Sequence, residues 1–182
     1  MLGGSGKNRL ELNVSNVIDK KMNVLYLHGL ESQPGGPKVK YLQDRFDMVY
    51  APEVDYGDPD TFEELLDLCA VEEFDLIIGS SMGGYFAHQL ASHFDETKVM
   101  LFNPAFHSRR FDPRGVVDGI FHVDGHCVLG LEDDVINSTE TYNMIAQYGF
   151  YDGLSIIPVE KMGHRTPFTT FIDIMERFVE GE

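Results

Sequence analysis

Short apolar runs alternate along the chain with longer stretches in which apolar and polar positions are mixed. Several of the short runs are continuously apolar, which is typical of parallel strands covered on both faces. Pro158 lies in the last run and has no backbone N–H to donate, so we expect that strand at an edge of the sheet. The six predicted strands are Val24–Leu27, Met48–Ala51, Leu76–Ile78, Val99–Phe102, Cys127–Leu131 and Ser155–Val159.

The segments between the runs show helical periodicity. Thr61 and Glu64 form a capping-box pattern that predicts the start of one helix. Apolar residues recur at every fourth position over 82–94, so a second helix is expected to be central. Thr166 followed by Pro167 predicts the start of the last helix. Strands that alternate with helices predict an α/β fold with a mostly parallel sheet of about six strands, flanked by helices.

The first residues stand apart from this pattern. Gly3-Gly4-Ser5-Gly6 is typical of a flexible linker or a cloning remnant. Leu10, Leu12 and Val14 alternate with polar neighbours, which is compatible with a short edge strand. We therefore expect residues 1–21 to form a flexible N-terminal extension and residues 22–182 to form a single domain.

A glycine-flanked serine joins the third predicted strand to the central helix. Residues 79–83 match G-x-S-x-G, with Ser81 in the middle. Between a buried strand and a helix, such a serine lies on a sharp turn that holds its hydroxyl out of the sheet. The helix start behind it supplies positive potential. The motif indicates a nucleophile at Ser81, the alternative being a glycine-rich turn without chemistry.

A serine nucleophile requires a base, and the base requires an acid that orients it. On a nucleophile-elbow fold these residues follow one another along the chain as serine, acid and histidine, each after a strand. His164 follows the last predicted strand, and Glu132, Asp133 and Asp134 follow the strand before it. His164 is therefore the predicted base, the alternative being an exposed loop histidine. The three carboxylates are candidates for the acid.

Backbone N–H groups near the serine are candidates for an oxyanion hole. Met82 supplies the N–H that follows the nucleophile, and the loop after the first strand supplies the other. Leu30 is the predicted second donor, with Glu31 as its alternative. His28 lies where this loop turns, so we expect it to hydrogen-bond nearby backbone rather than to act as the base.

From about Met22 to the C-terminus, the chain resembles the small YqiA/YcfP-like esterases of the α/β-hydrolase superfamily. The resemblance implies a compact, lidless α/β-hydrolase fold, activity on short acyl esters, and Ser81, Asp133 and His164 as nucleophile, acid and base. The family has Gly where Glu132 stands, and residues 1–21 and 103–125 have no clear counterpart in it. The resemblance rests on Leu25–Leu30 with Ser32, Pro34 and Lys38, on Gly79–Tyr85, on Asn103–Ala105, on Asp133–Val135 and on Gly163–His164.

Charge and hydropathy indicate which classes of binding partner and which cellular location to expect. The formal net charge of −16 comes from 30 acidic and 14 basic residues and disfavours nucleic acids and anionic membranes. No apolar run approaches the length of a membrane span, and the N-terminus lacks the apolar core of a secretory signal, so we expect a cytoplasmic location. Cys69 and Cys127 are then expected to be reduced, buried thiols.

No motif for a metal or a nucleotide is present. The histidines lack the HExxH spacing, and Gly79–Gly84 matches neither a dinucleotide nor a phosphate-binding loop, so we expect neither a metal nor a cofactor. Residues 103–125 are too short for a helical cap and are expected to form a small flap. Their Arg109, Arg110 and Arg114 are interpreted as surface charge, with a substrate-facing role as the alternative.

Taken together, the residues predict a serine esterase that acts on small or exposed esters through an acyl-enzyme. A thioesterase or peptidase with the same triad is the alternative within enzymes. A catalytically silent binding protein with the same fold is the alternative outside them.

Overall fold

The computed structural model describes residues 22–112, 122–147 and 153–181. The predicted extension 1–21, with its edge strand, lies outside these residues. None of the described helices is long and apolar enough to cross a membrane. In chain order the elements within the described residues are β1 (Asn23–Leu27), α1 (Pro37–Arg45), β2 (Met48–Tyr50), α2 (Thr61–Glu72), β3 (Leu76–Ser80), α3 (Met82–Ala91), β4 (Lys98–Phe102), β5 (Gly125–Gly130), α4 (Ser138–Gln147), β6 (Leu154–Val159) and α5 (Phe168–Glu180).

The strands form one six-stranded sheet in the order β2-β1-β3-β4-β5-β6, and all five neighbouring pairs are parallel. The predicted fold class is confirmed. β6 lies at an edge of the sheet, as Pro158 indicated, and Pro158 stands opposite Leu129 of β5. Because every strand is parallel, the loops that follow the strands all open at the same edge of the sheet, where the predicted site residues lie.

Both faces of the sheet are buried, and the two faces take alternate residues along each strand. Helices α2, α3 and α4 cover one face, and helices α1 and α5 cover the other. The first face includes Leu25, Leu27, Ile77, Leu101, Cys127 and Leu129, and the second includes Val24, Tyr26, Leu76, Ile78, Phe102 and Val128.

Two of these helices were not predicted from the sequence. Helix α1 buries only Val39 and Leu42, and helix α4 buries only Thr141 and Ile145. Two buried positions are too few to produce a recognisable apolar stripe. By contrast, every residue of α3 is buried, as the spacing over 82–94 indicated for a central helix.

Two helices begin at other residues than the sequence predicts. Asp60, not Thr61, is the N-cap of α2, and the Thr61 hydroxyl donates to the Asp55 carbonyl over 2.7 Å, so the predicted capping box is absent. Helix α5 begins one residue late, with Pro167 as its N-cap. The hydroxyl of Thr166 is consequently buried without a hydrogen-bond partner among the described residues.

Both cysteines are free and buried. Burial raises the pKa of the Cys69 thiol to about 12 and also raises the pKa of the Cys127 thiol. Because the thiolate is the reactive form, both side chains act as small apolar residues of the core.

Candidate active site

The chain reverses sharply at Ser81, between β3 and α3. Ser81 has φ 54° and ψ −117°, a conformation that residues other than glycine rarely adopt. Its N–H donates to the Phe102 carbonyl at 2.9 Å, and its carbonyl accepts from the N–H groups of Tyr85 and Ala105 at 3.1 and 3.0 Å. These bonds fix the strained turn to the end of β4 and to the first turn of α3.

The glycines of the G-x-S-x-G motif stand where backbone meets backbone. A Cβ on Gly79 would lie 2.2 Å from the Gly83 carbonyl oxygen. A Cβ on Gly83 would lie 2.3 Å from the carbonyl oxygen of Leu27 and 2.4 Å from that of His28. Helix α3 therefore begins in direct contact with the ends of β1 and β3, and no side chain fits at either position.

Three side chains from separate loops form a continuous hydrogen-bonded series. His164, in the loop after β6, places Nε2 3.1 Å from Ser81 Oγ and Nδ1 2.9 Å from Asp133 Oδ2. A carboxylate can only accept, so Nδ1 carries the imidazole proton and Nε2 accepts from the serine hydroxyl. The structure thus brings together the three residues predicted as nucleophile, base and acid.

Among the three candidate carboxylates, Asp133 is the one that meets the imidazole. Its Oδ1 accepts from the N–H groups of Val135 and Ile136, both at 2.8 Å, which leaves Oδ2 directed at His164. The Asp133 side chain is 0% exposed, whereas Glu132 and Asp134 are exposed. The local turn therefore decides which of the adjacent acids points inward.

The predicted oxyanion donors lie on two sides of Ser81. Met82 is the first residue of α3, and the N–H groups in the first turn of a helix have no partner within that helix. The loop after β1 passes against Ser81, since a Cβ on Gly29 would lie 3.5 Å from the Cβ of Ser81. Leu30 and its alternative Glu31 follow in this loop, and both line the same cavity as Ser81.

The imidazole of His28 forms hydrogen bonds with backbone groups, as predicted. Its Nδ1 donates to the Gly29 carbonyl at 2.8 Å, and its Nε2 accepts from the Val54 N–H at 3.1 Å. Its carbonyl also accepts from the Tyr56 hydroxyl at 2.5 Å. With both ring nitrogens used and the residue 3% exposed, His28 shapes the loop after β1 and is not available as a base.

Asn103 is a residue of the site whose role the sequence did not indicate. In the sequence it stands out only as part of the motif Asn103–Ala105. Its side-chain amide donates to the carbonyls of Gly163 and His164 at 3.1 and 3.0 Å, and its Oδ1 accepts from the Gly130 N–H at 2.7 Å. It is buried and has φ 44°, a left-handed conformation that Asn tolerates better than most residues. Asn103 therefore ties the histidine loop to the strand that leads to Asp133.

We expect Asn103→Ala to lower both stability and turnover of an ester. Three hydrogen bonds at roughly 0.5–1.5 kcal/mol each, together with about 1 kcal/mol of left-handed strain on alanine, amount to about 4 kcal/mol. A shift of the imidazole by about 1 Å lowers kcat by roughly 100-fold. Urea unfolding and steady-state kinetics measure the two effects.

Asn103→Gly separates the contribution of the backbone from that of the side chain. Glycine adopts the left-handed conformation freely, so this variant should recover about 1 kcal/mol of stability but none of the lost kcat. Full turnover in both variants would show that the loop holds His164 in place without the amide.

A cavity of about 850 Å³ opens beside Ser81. It is lined from the loop after β1, the start of α3, the segment after β4, the acid loop and the histidine loop. In residues 22–112, 122–147 and 153–181, no group of three or more His, Cys, Asp or Glu side chains is arranged to hold a metal ion.

The arginines after β4 differ from one another. The guanidinium of Arg109 lies 5.0 Å from the ring centroid of Tyr85, donates to the Phe106 carbonyl and pairs with Asp112, so this charge is held against the protein and is only partly exposed. Arg110 is exposed but lines the cavity. Arg114 and residues 113–121 of the predicted flap lie outside the described residues.

Residues 23–114, half of the chain, match the sequence profile of UPF0227, an uncharacterised protein family. The chain belongs to UPF0227. The matched region of this UPF0227 protein contains the turn at Ser81 and Asn103, whereas Asp133 and His164 lie beyond it. No curated protein matches the sequence.

The fold of this UPF0227 protein is similar to those of solved α/β-hydrolase structures. A Xanthomonas campestris protein described as a hydrolase of the alpha/beta superfamily has a TM-score of 0.67 and 18% identity, over 87% of this chain and 95% of its own. A monoacylglycerol lipase from Paleococcus ferrophilus has a TM-score of 0.65 and 15% identity, over 87% and 94%. A Bacillus cereus carboxylesterase has a TM-score of 0.55 and 18% identity, over 90% of each chain. This UPF0227 protein therefore has the α/β-hydrolase fold, and its activity must be argued from its own site.

Proposed function

We propose that this UPF0227 protein is a serine esterase that cleaves small carboxylic esters through an acyl-enzyme on Ser81. The observation that carries the proposal is the series in which Ser81 Oγ, His164 and Asp133 are joined at 3.1 and 2.9 Å. Its fold, shared with an esterase and a lipase, supports a hydrolase. The proposal takes residues 22–182 as one catalytic domain, because Ser81, Asp133 and His164 follow three different strands of the same sheet.

In the first half of the proposed reaction, Ser81 Oγ attacks the ester carbonyl while His164 Nε2 takes the hydroxyl proton. The carbonyl oxygen becomes an oxyanion that accepts from the N–H groups of Met82 and Leu30. His164 then gives its proton to the departing alcohol oxygen, and the carbon–oxygen bond breaks. The buried carboxylate of Asp133 holds the imidazole tautomer and stabilises the transient imidazolium.

In the second half, a water molecule enters the position that the alcohol has left. His164 Nε2 removes a proton from this water as the oxygen attacks the acyl carbon. The new oxyanion occupies the same two N–H groups, and collapse of the intermediate breaks the bond to Ser81 Oγ. His164 returns the proton to the serine oxygen, and the carboxylic acid leaves.

The proposed preference for small or exposed esters rests on what surrounds the cavity. Residues 103–112, which follow β4, contain no helix that could serve as a cap. Ser81 is only partly buried. Short acyl groups can reach such a hydroxyl without a long apolar tunnel.

A fluorophosphonate probe together with p-nitrophenyl acetate tests the proposal. We expect the wild-type protein to be labelled on the peptide that contains Ser81 and to hydrolyse the ester, and Ser81→Ala to do neither. Ser155→Ala removes an exposed serine of β6 and serves as the matched control. If an acyl thioester or a peptide amide is turned over faster than the ester, the protein is a thioesterase or a peptidase instead. If the protein is neither labelled nor active, it is a binding protein.

A further inference from the structure

The charges that line the cavity differ from those of the chain as a whole. The chain has 30 acidic and 14 basic residues. Lys38, Arg110 and Arg165 line the cavity, against Glu31 and Asp134. Three positive side chains against two negative ones thus line the cavity, which lacks the acidic excess of the chain as a whole.

Lys38 is the one cation of these three that is partly buried, whereas Arg110 and Arg165 are exposed. No carboxylate among the described residues forms an ion pair with it, and its ammonium lies 5.2 Å from the ring centroid of Phe171. Partial burial lowers its pKa through desolvation. It also occupies the first turn of α1, where the helix dipole disfavours a positive charge. Arg45, at the other end of α1, does have a carboxylate partner, since it pairs with Glu176 of α5. The fold thus supplies an acidic partner to the cation of α1 whose role is stability alone.

Two hydroxyl groups of the cavity also lack hydrogen-bond partners among the described residues. Tyr26 lines it, and no described residue forms a hydrogen bond with its phenol. Burial raises the pKa of that phenol, so it remains a proton donor. The Thr166 hydroxyl is buried and accepts or donates no hydrogen bond within the described part of the chain. Tyr26 and Phe171 belong to the same buried cluster, which places Tyr26 on the face of the sheet where Lys38 lies.

We propose that the cavity binds esters that carry an anionic group, in the simplest case a single carboxylate, and that Lys38 is the residue that recognises it. The inference rests on the proposed esterase function and names its substrate class. A carboxylate would give the ammonium the charged partner that none of the described residues provides, and Tyr26 adds a neutral donor. A net charge of −16 disfavours the approach of polyanions, so a single charge fits better than a polyphosphate.

Matched esters that differ only in charge test the assignment. The mono-p-nitrophenyl ester of adipic acid has a free carboxylate, and the same ester of adipic half amide is neutral and of equal length. We expect wild-type kcat/KM to be roughly 10- to 100-fold higher for the charged ester, mainly through a lower KM. Lys38→Met should abolish the difference by slowing the charged ester alone, and Lys38→Arg should keep most of it. Lys40→Met removes an exposed lysine of the same helix and controls for net charge.

A second pair places the charge on the alcohol: the acetate esters of p-hydroxybenzoate and of p-hydroxybenzamide. A preference for the charged member of either pair that Lys38→Met removes supports the assignment and identifies the side on which the anion lies. Equal rates within both pairs for the wild-type enzyme, or a preference that survives in Lys38→Met, would overturn it.

Failure of this inference is distinguishable from failure of the proposed function. If p-nitrophenyl acetate is hydrolysed but charged and neutral esters react at equal rates, the esterase function stands and the role of Lys38 is refuted. If no ester is hydrolysed, adipate binding still tests Lys38: adipate should raise the thermal midpoint of the wild-type protein by a few degrees and leave that of Lys38→Met unchanged. An equal shift in both proteins, or no shift in either, would contradict the inference. Lys38→Met itself should unfold at no lower temperature than the wild type, because it removes a poorly solvated charge.

Discussion

Replacement of Ser81 or His164 by alanine is expected to lower kcat for ester hydrolysis about 10⁶-fold. The hydroxyl and the imidazole are joined at 3.1 Å and act as one unit, because the attack requires the proton to leave as the bond forms. The double variant should therefore be no slower than either single variant. Asp133→Asn should lose about 10⁴-fold, because an amide at this position no longer fixes the imidazole tautomer.

Steady-state hydrolysis of p-nitrophenyl acetate at high enzyme concentration measures these rates above the uncatalysed background. Far-UV circular dichroism should be unchanged, since Ser81 and His164 contribute little to the core. His122→Ala removes a histidine whose side chain is 64% exposed and should retain wild-type activity. A His164→Ala variant that keeps a tenth of the wild-type rate would show that another group takes the serine proton.

The turn at Ser81 could be predicted because its geometry is encoded within a few neighbouring residues. Gly79 and Gly83 are required by contacts made within the turn and with the adjacent strand, so a match over 79–83 carries most of the information. The fold could also be predicted from local sequence patterns. Six parallel strands covered on both faces give continuous apolar runs, and these are visible without any knowledge of tertiary contacts.

The rest of the site depends on contacts between distant parts of the chain. Asn103 acts on Gly163 and His164, about 60 positions later, and nothing beside Asn103 in the sequence indicates those acceptors. Lys38 similarly lies over Phe171 of α5. The choice of Asp133 over its neighbours is an intermediate case. It follows from a local turn in which Oδ1 accepts from the next N–H groups, but all three acids share the same sequence context.

A large loss of stability is expected from Gly83→Ala. The added Cβ would lie 2.3 and 2.4 Å from the carbonyl oxygens of Leu27 and His28, which are backbone atoms at the end of a central strand and cannot rotate away. Helix α3 is buried along its whole length and has no room to retreat. We expect a destabilisation of about 3–5 kcal/mol, out of roughly 5–15 kcal/mol for a whole domain, and a fall in the thermal midpoint of roughly 10–15 °C.

The same clash should reduce activity in whatever protein remains folded. Displacement of the backbone at His28 moves the loop that contains Leu30 relative to Ser81, so the proposed oxyanion donors no longer converge, and kcat should fall by about 100-fold. Gly163→Ala is the matched control for stability, because its Cβ would lie 3.6 Å from the Glu132 carbonyl oxygen and should change the free energy of unfolding by no more than about 0.5 kcal/mol. If Gly83→Ala unfolded at the wild-type temperature, α3 could not begin in contact with β1. The oxyanion site argued from that contact would then have to be placed elsewhere.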